Sequence, residues 1–166
     1  MPDDSSCPLD RLRVGQCNHL PVADLRGVTE AQRETVFRRL ELWKLQEGEF
    51  VFHKGDEPSA IYVVKSGEIH IQIRQRDVTI NKHELHCGES FGEASLMSMH
   101  CHTATALAAV DSEVMVLSRR ALIQLKHEDI ELFALLMMNL VRELARRLYV
   151  TDQMLLEATA QSAKLV

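Results

Sequence analysis

The chain has 166 residues, of which 46% are hydrophobic and 26% are charged, the composition of a soluble globular protein with one packed core. A formal net charge of -5 provides no basic face for nucleic-acid phosphates. No apolar run approaches the ~20 residues that cross a bilayer, and the acidic amino terminus lacks the apolar core of a secretory signal. These features predict a cytoplasmic protein without membrane insertion.

The amino-terminal third contains a polar segment followed by a helix. Residues 1–20 are polar and irregular, which predicts a flexible arm. The stretch "VTEAQRETVFRRLEL" predicts a short helix that Thr29 caps, with Gln32 in the position of a capping-box partner. Its apolar stripe consists of Val36, Phe37 and Leu40.

From about Leu42 to Ser118 the hydrophobic period is two, which predicts β-strands. In "EIHIQIRQ" the residues Ile69, Ile71 and Ile73 alternate with polar residues, as in a strand with one buried face. Other strand-like runs are "ELWKL", "FVFH", "IYVVKS", "DVTINKHEL", "TATALAAV" and "SEVMVLS", and glycines separate several of them. Short strands at this spacing favour an all-β sandwich or roll.

After Ser118 the period becomes helical, over a long segment without glycine or proline. Within it, seven residues follow alternating spacings of four and three: Met137, Val141, Leu144, Leu148, Thr151, Leu155 and Ala158. We expect the earlier part, Leu132 to Leu136, to pack on the strands. A seam of this kind beyond Leu144 needs a partner helix, most simply from a second copy, so the sequence predicts a homodimer through this helix.

Four motifs, the first three of which contain glycine, occur in a fixed order: "LQEGEFVFHKGD" (45–56), "IYVVKSGEI" (61–69), "CGESFGEASL" (87–96) and "HTATALA" (102–108). In this order and spacing the chain resembles cyclic nucleotide-binding domains, the module of catabolite activator proteins and of cyclic-AMP-dependent kinase regulatory subunits. The resemblance implies a mainly β fold: an antiparallel, jelly-roll-like β-roll (a double-stranded β-helix) with an N-terminal helix and a long C-terminal helix. It divides the chain into a β-roll with its N-terminal helix at 21–128 and a C-terminal dimerisation helix and tail at 129–166.

The resemblance also implies a binding site, formed by Phe91, Gly92, Glu93, Ala94, Ser95, His102 and Thr103. Gly92 and the short helix begun by "GEASL" would face a cyclic phosphate with free N–H groups, and the acid Glu93 would accept a hydrogen bond from the ribose 2′-hydroxyl. The family's phosphate-binding arginine is matched here by His102, which carries charge only when protonated, and Thr103 adds a hydroxyl. The candidate ligand is cyclic AMP or cyclic GMP.

The function that the resemblance implies is a non-enzymatic, ligand-sensing regulatory module without a cofactor, which signals through its C-terminal helix. One alternative is a degenerate domain without a nucleotide, acting as a dimerisation or docking module. A second is a cupin-like metal enzyme that uses His100 and His102. The stretch "TATALAAV" after this H-x-H contains no acid and the four cysteines form no C-x-x-C pair, so we expect no metal. No helix-turn-helix follows the long helix before Val166, so direct DNA binding is not expected.

Overall fold

The computed structural model describes residues 27–75 and 78–163, and the predicted arm at 1–20 lies outside the described residues. Eight strands and four helices form within the described ranges. In chain order they are α1 (Glu30–Phe37), β1 (Glu41–Leu45), β2 (Phe50–Phe52), β3 (Ala60–Ser66), β4 (Ile69–Gln75), β5 (Val78–Leu85), β6 (Ser90–Phe91), α2 (Glu93–Ser98), β7 (Thr105–Ala108), β8 (Ser112–Ser118), α3 (Arg119–Glu128) and α4 (Ile130–Ala163).

The strands form two four-stranded antiparallel sheets, in the orders β1-β8-β3-β6 and β2-β7-β4-β5. Their inner faces enclose a core of alternating apolar side chains, among them Val64, Ile69, Ala106 and Val114, all fully buried. The molecule is therefore an antiparallel β-roll with an N-terminal helix and a long C-terminal helix, which confirms the predicted fold class.

The predicted capping box at the start of α1 is present. Thr29 Oγ1 accepts a hydrogen bond from the Gln32 backbone N–H at 3.3 Å, and Gln32 Oε1 accepts one from the Thr29 backbone N–H at 3.1 Å. The helix ends at Phe37, earlier than the predicted stretch, because β1 begins at Glu41 and pairs with β8. Leu40 nevertheless packs against a buried apolar cluster.

The sequence predicted one continuous helical segment after Ser118, and this prediction was wrong at Asp129. The backbone of Asp129 is not helical (φ -146°, ψ 89°), which separates α3 from α4. Its carboxylate Oδ1 accepts a hydrogen bond from the Leu132 backbone N–H at 2.9 Å, so the side chain caps the start of α4. Asp and Asn compete with the helical backbone in this way, whereas hydrophobic periodicity carries no trace of it.

The first half of α4 packs on the roll and the second half does not. Leu132, Leu136 and Leu140 are buried in two clusters that also contain side chains of α1, α3, β3 and β8. From Leu148 to Ala160 every side chain is exposed. Among the described helices, none combines the length and apolar content required to cross a bilayer.

Candidate functional site

Gly92 begins the segment that the sequence assigned to the phosphate. It lies between β6 and α2 with φ +82°, a conformation that favours glycine. A Cβ atom at this position would approach Tyr62 Cδ2 to 2.8 Å and the Ala60 carbonyl oxygen to 3.1 Å. The positive φ and the closeness of the Tyr62 ring therefore both require glycine at this position, whether or not a ligand contacts it.

Glu93 is the most deeply buried acid of the candidate site, with 1% of the residue exposed. The guanidinium of Arg147, from α4, donates from Nη1 to Glu93 Oε1 at 2.6 Å and from Nη2 to the Ser90 carbonyl oxygen at 2.5 Å. Arg147 Nε also donates to Glu143 Oε1 at 2.9 Å. A buried carboxylate needs a partner of this kind, and here α4 supplies it.

The second carboxylate oxygen of Glu93, Oε2, is buried and has no hydrogen-bond partner. Burial raises the pKa of Glu93 above its ordinary value, while the Arg147 charge and the residue's own backbone N–H oppose this rise. Buried polar atoms without a partner are uncommon in folded proteins, and this oxygen retains the capacity to accept a hydrogen bond.

His102 is also buried, with 4% of the residue exposed. Its ring stacks on Phe52, with centroids 3.6 Å apart and an interplanar angle of 7°. Its backbone is fixed by two hydrogen bonds, from the Gly55 N–H to the His102 carbonyl at 2.8 Å and from the His102 N–H to the Asp56 carbonyl at 2.9 Å. Burial lowers the pKa of the imidazole below its usual value, and the negative charge of Asp56 opposes this.

An aromatic cluster brings the two halves of the predicted site together. Phe52 contacts the His102 ring on one side and also lies 6.0 Å from Phe91 and 5.7 Å from Tyr62, centroid to centroid. Phe91 in turn stacks on Tyr62 at 5.1 Å. The cluster therefore links Phe91, next to Gly92 and Glu93, with His102 through ring contacts between the two sheets.

The remaining predicted residues lie nearer to solvent. Ala94 and Thr103 are exposed, and Ser95 is half-buried. Ala94 and Ser95 lie in the first turn of α2, where backbone N–H groups have no intrahelical partner. These positions are open to a ligand that approaches from the solvent side.

The two histidines of the H-x-H motif are separated by burial: His100 is exposed, while His102 is stacked in the interior. A shared metal would require both imidazoles to face one point. In the part of the chain that the structure describes, no group of three histidine, cysteine, aspartate or glutamate side chains converges on a point where a metal ion would be held.

Sequence reasoning missed Arg147 as a residue of the site. The buried acid Glu93 was a signal that an internal cation was needed, but α4 carries several arginines and the sequence does not reveal which one reaches it. Phe52 and Asp56 were also missed, although both lie within the quoted motif at 45–56.

Comparison with known proteins agrees with this architecture. The family model "Cyclic nucleotide-binding domain" matches residues 42–129, more than half of the chain. The chain is 33% identical over 111 residues to the cyclic AMP receptor protein of Thermus thermophilus, covering 64% of this chain and 48% of that protein. It is 30% identical over 81 residues to a cGMP-dependent protein kinase of Eimeria tenella, covering 49% of this chain and 8% of the kinase.

Among solved structures, the fold is similar to the Thermus thermophilus catabolite activator protein, with a TM-score of 0.71 and 27% sequence identity. The similarity covers 81% of this chain and 61% of that one. The chain spans less than half the length of the curated relatives it matches. The matched residues include the roll, the Gly92–Glu93 turn and His102. The chain belongs to the cyclic nucleotide-binding domain family.

Proposed function

We propose that the roll binds a cyclic nucleotide, cyclic AMP or cyclic GMP, and that the chain acts as a non-enzymatic regulatory module. The hydrogen bonding of the Glu93 carboxylate is the observation that carries this proposal. Arg147 holds one of its carboxylate oxygens, while the other is buried and unpartnered. A ribose 2′-hydroxyl would complete the set of hydrogen bonds, because a hydroxyl is a donor of the size and type that Oε2 lacks.

The phosphate end of the site is supported by uncharged donors and one titratable ring. The free N–H groups of Ala94 and Ser95 at the start of α2 suit an anion, and the exposed Thr103 adds a hydroxyl. His102 stands where the family carries an arginine. An imidazole provides at most one hydrogen bond to the ligand here, whereas an arginine fork provides two charge-assisted ones, so we expect weaker binding than an arginine would give.

The contact between Glu93 and Arg147 supports the proposal that ligand binding is signalled through α4. The residue that would bind the ribose is the same residue that holds α4 to the roll. A ligand hydroxyl on Oε2 would change the charge distribution around the carboxylate that Arg147 contacts. Ligand binding would thereby alter the free energy of α4 docking, which is the differential contact that a ligand-controlled two-state element requires.

The exposed face of α4 supports a homodimer. Four apolar side chains on one side of this 34-residue helix are more than half exposed: Ile130, Val141, Leu148 and Leu155. They extend along about 37 Å of the helix at 1.5 Å per residue. A continuous apolar stripe of this length is covered most simply by the same helix of a second copy.

A second candidate is a dimerisation module that has lost its nucleotide. Two observations favour it: the neutral, buried His102 in place of a fixed cation, and the long exposed stripe on α4. In this alternative the aromatic cluster around Phe52 is simply the core of the roll.

Calorimetric titration with cyclic AMP, cyclic GMP and 5′-AMP separates the two candidates. The proposal predicts saturable binding of at least one cyclic nucleotide and at least tenfold weaker binding of 5′-AMP, whose open phosphate carries a second charge and a different shape. Absence of binding by both cyclic nucleotides at pH 6 and pH 7.5 would favour the dimerisation module.

A further inference from the structure

His102 is a titratable ring in a position where the family carries a fixed positive charge. The ring is buried and stacks on Phe52, and the backbone of His102 is hydrogen-bonded to Gly55 and Asp56. It cannot turn freely to solvent, so a change in its charge must be compensated within the site. An anion bound next to the ring is the simplest way to compensate a positive charge on it.

Two groups that face the ring, Phe52 and Asp56, both favour its charged form. Phe52 presents an aromatic face at 3.6 Å, which attracts a cation, and β2 contributes no ionised group of its own at this contact. Asp56, in the loop, is the charged group among the described residues whose field acts on the ring, and it also favours the imidazolium. The adjacent His53 ring packs on Phe50, and His100 is exposed.

Burial outweighs these two favourable contacts in the ligand-free protein. It holds the pKa of His102 below its usual value, so the ring is neutral at neutral pH. The charged form is nevertheless accessible, because Phe52 and Asp56 already stabilise it in part.

We propose that His102 couples ligand binding to proton uptake, so that the module binds its anionic ligand more tightly as the pH falls. This inference rests on the proposed cyclic-nucleotide function. The cyclic phosphodiester remains singly negative throughout the physiological range, so the proton is taken from solvent by an imidazole nitrogen and not by the ligand. The complex gains up to one proton for each ligand bound, depending on the pH.

The sign of the pH dependence follows from linkage. The bound anion raises the pKa of His102 above its value in the free protein, so the complex binds more protons than the free protein between these two values. Affinity therefore falls by up to about tenfold per pH unit over that interval and becomes constant above it. A fixed arginine would give no such dependence.

Calorimetry at pH 7 in PIPES and in Tris tests the proposal, because these buffers release protons with different enthalpies. For wild-type protein and whichever cyclic nucleotide binds, the difference in apparent enthalpy should correspond to uptake of up to one proton per ligand. His102→Gln, which is neutral at all pH values, and His102→Arg, which is always charged, should show no uptake. His102→Arg should also bind at least as tightly as wild type at pH 8.

The outcomes distinguish the two proposals. Binding by wild type without proton uptake, or with uptake that persists in His102→Gln, would overturn the coupling and leave the nucleotide function standing. No binding by wild type or by His102→Arg at pH 6 would overturn the nucleotide function and the coupling with it. If one variant fails to fold, the other still decides whether His102 takes up the proton, because neither side chain titrates near pH 7; absence of uptake in wild type overturns the coupling by itself.

Discussion

Replacement of Arg147 by methionine tests the contact that joins the roll to α4. Methionine retains the apolar stem and a good helix propensity but removes the charge and the bonds to Glu93 and to the Ser90 carbonyl. Removal of one partner of a buried pair costs about 3–5 kcal/mol, because the other charge stays buried. Arg147 is 30% exposed, so water screens part of the interaction and the lower end, about 3 kcal/mol, applies.

Urea denaturation followed by circular dichroism measures this loss, and a thermal melt should show a decrease of roughly 6–12 °C for a domain of this size. The pH dependence has a defined sign. Without Arg147 the pKa of Glu93 rises further, so the folded state binds a proton that the unfolded state releases above its ordinary pKa. The stability deficit of the variant should therefore shrink as the pH is lowered from 7 to 5.

Arg146→Met is the matched control, since Arg146 pairs with Glu143 on the surface and is 62% exposed. Its effect should stay within about 0.5 kcal/mol. The reasoning would be refuted if Arg147→Met were no less stable than Arg146→Met, or if its deficit did not depend on pH between 5 and 7.

Three further predictions concern α4 and metal content. Leu148→Glu combined with Leu155→Glu should convert the dimer into a monomer, as measured by light scattering at tens of micromolar. The control Gln153→Glu, on the opposite face of the helix, should leave the dimer intact, and a monomeric wild type would contradict the prediction. Asn139→Leu should raise the free energy of unfolding by about 1 kcal/mol in urea titrations, because the Asn139 amide nitrogen is buried without a partner and most of its neighbours are apolar. A lower free energy of unfolding would show that the hydrogen bond from Arg142 to Asn139 matters more. A chelator should leave the melting temperature unchanged, and one equivalent of tightly held metal would revive the cupin-like alternative.

The fold was predictable because its signals are local. Alternation at Ile69, Ile71 and Ile73 indicates a strand with one buried face, and Thr29 with Gln32 marks the start of α1. β6 was missed because a strand of two residues has no measurable period. The interruption at Asp129 was missed because it depends on one side-chain hydrogen bond.

The candidate site was predictable only as a set of positions. The motif order indicates which residues match the family, but not what they contact within this chain. Arg147 reaches Glu93 across 54 positions of sequence, and His102 stacks on Phe52, 50 positions away. Such contacts depend on the packing of α4 and of the two sheets, which periodicity does not specify.

The most direct test of the central claim is the ratio of affinities for a cyclic nucleotide and its 2′-deoxy analogue, measured by calorimetry in wild type and in Glu93→Gln. If the free oxygen of Glu93 accepts the ribose hydroxyl, wild type should prefer the ribose form by about ten- to a hundredfold, the value of one hydrogen bond to a charged group. The ratio should fall to within about threefold of one in Glu93→Gln, which retains the shape of the side chain without the charge. Equal affinities in wild type, or no affinity for either ligand, would contradict the claim that Glu93 is the ligand-binding acid of this module.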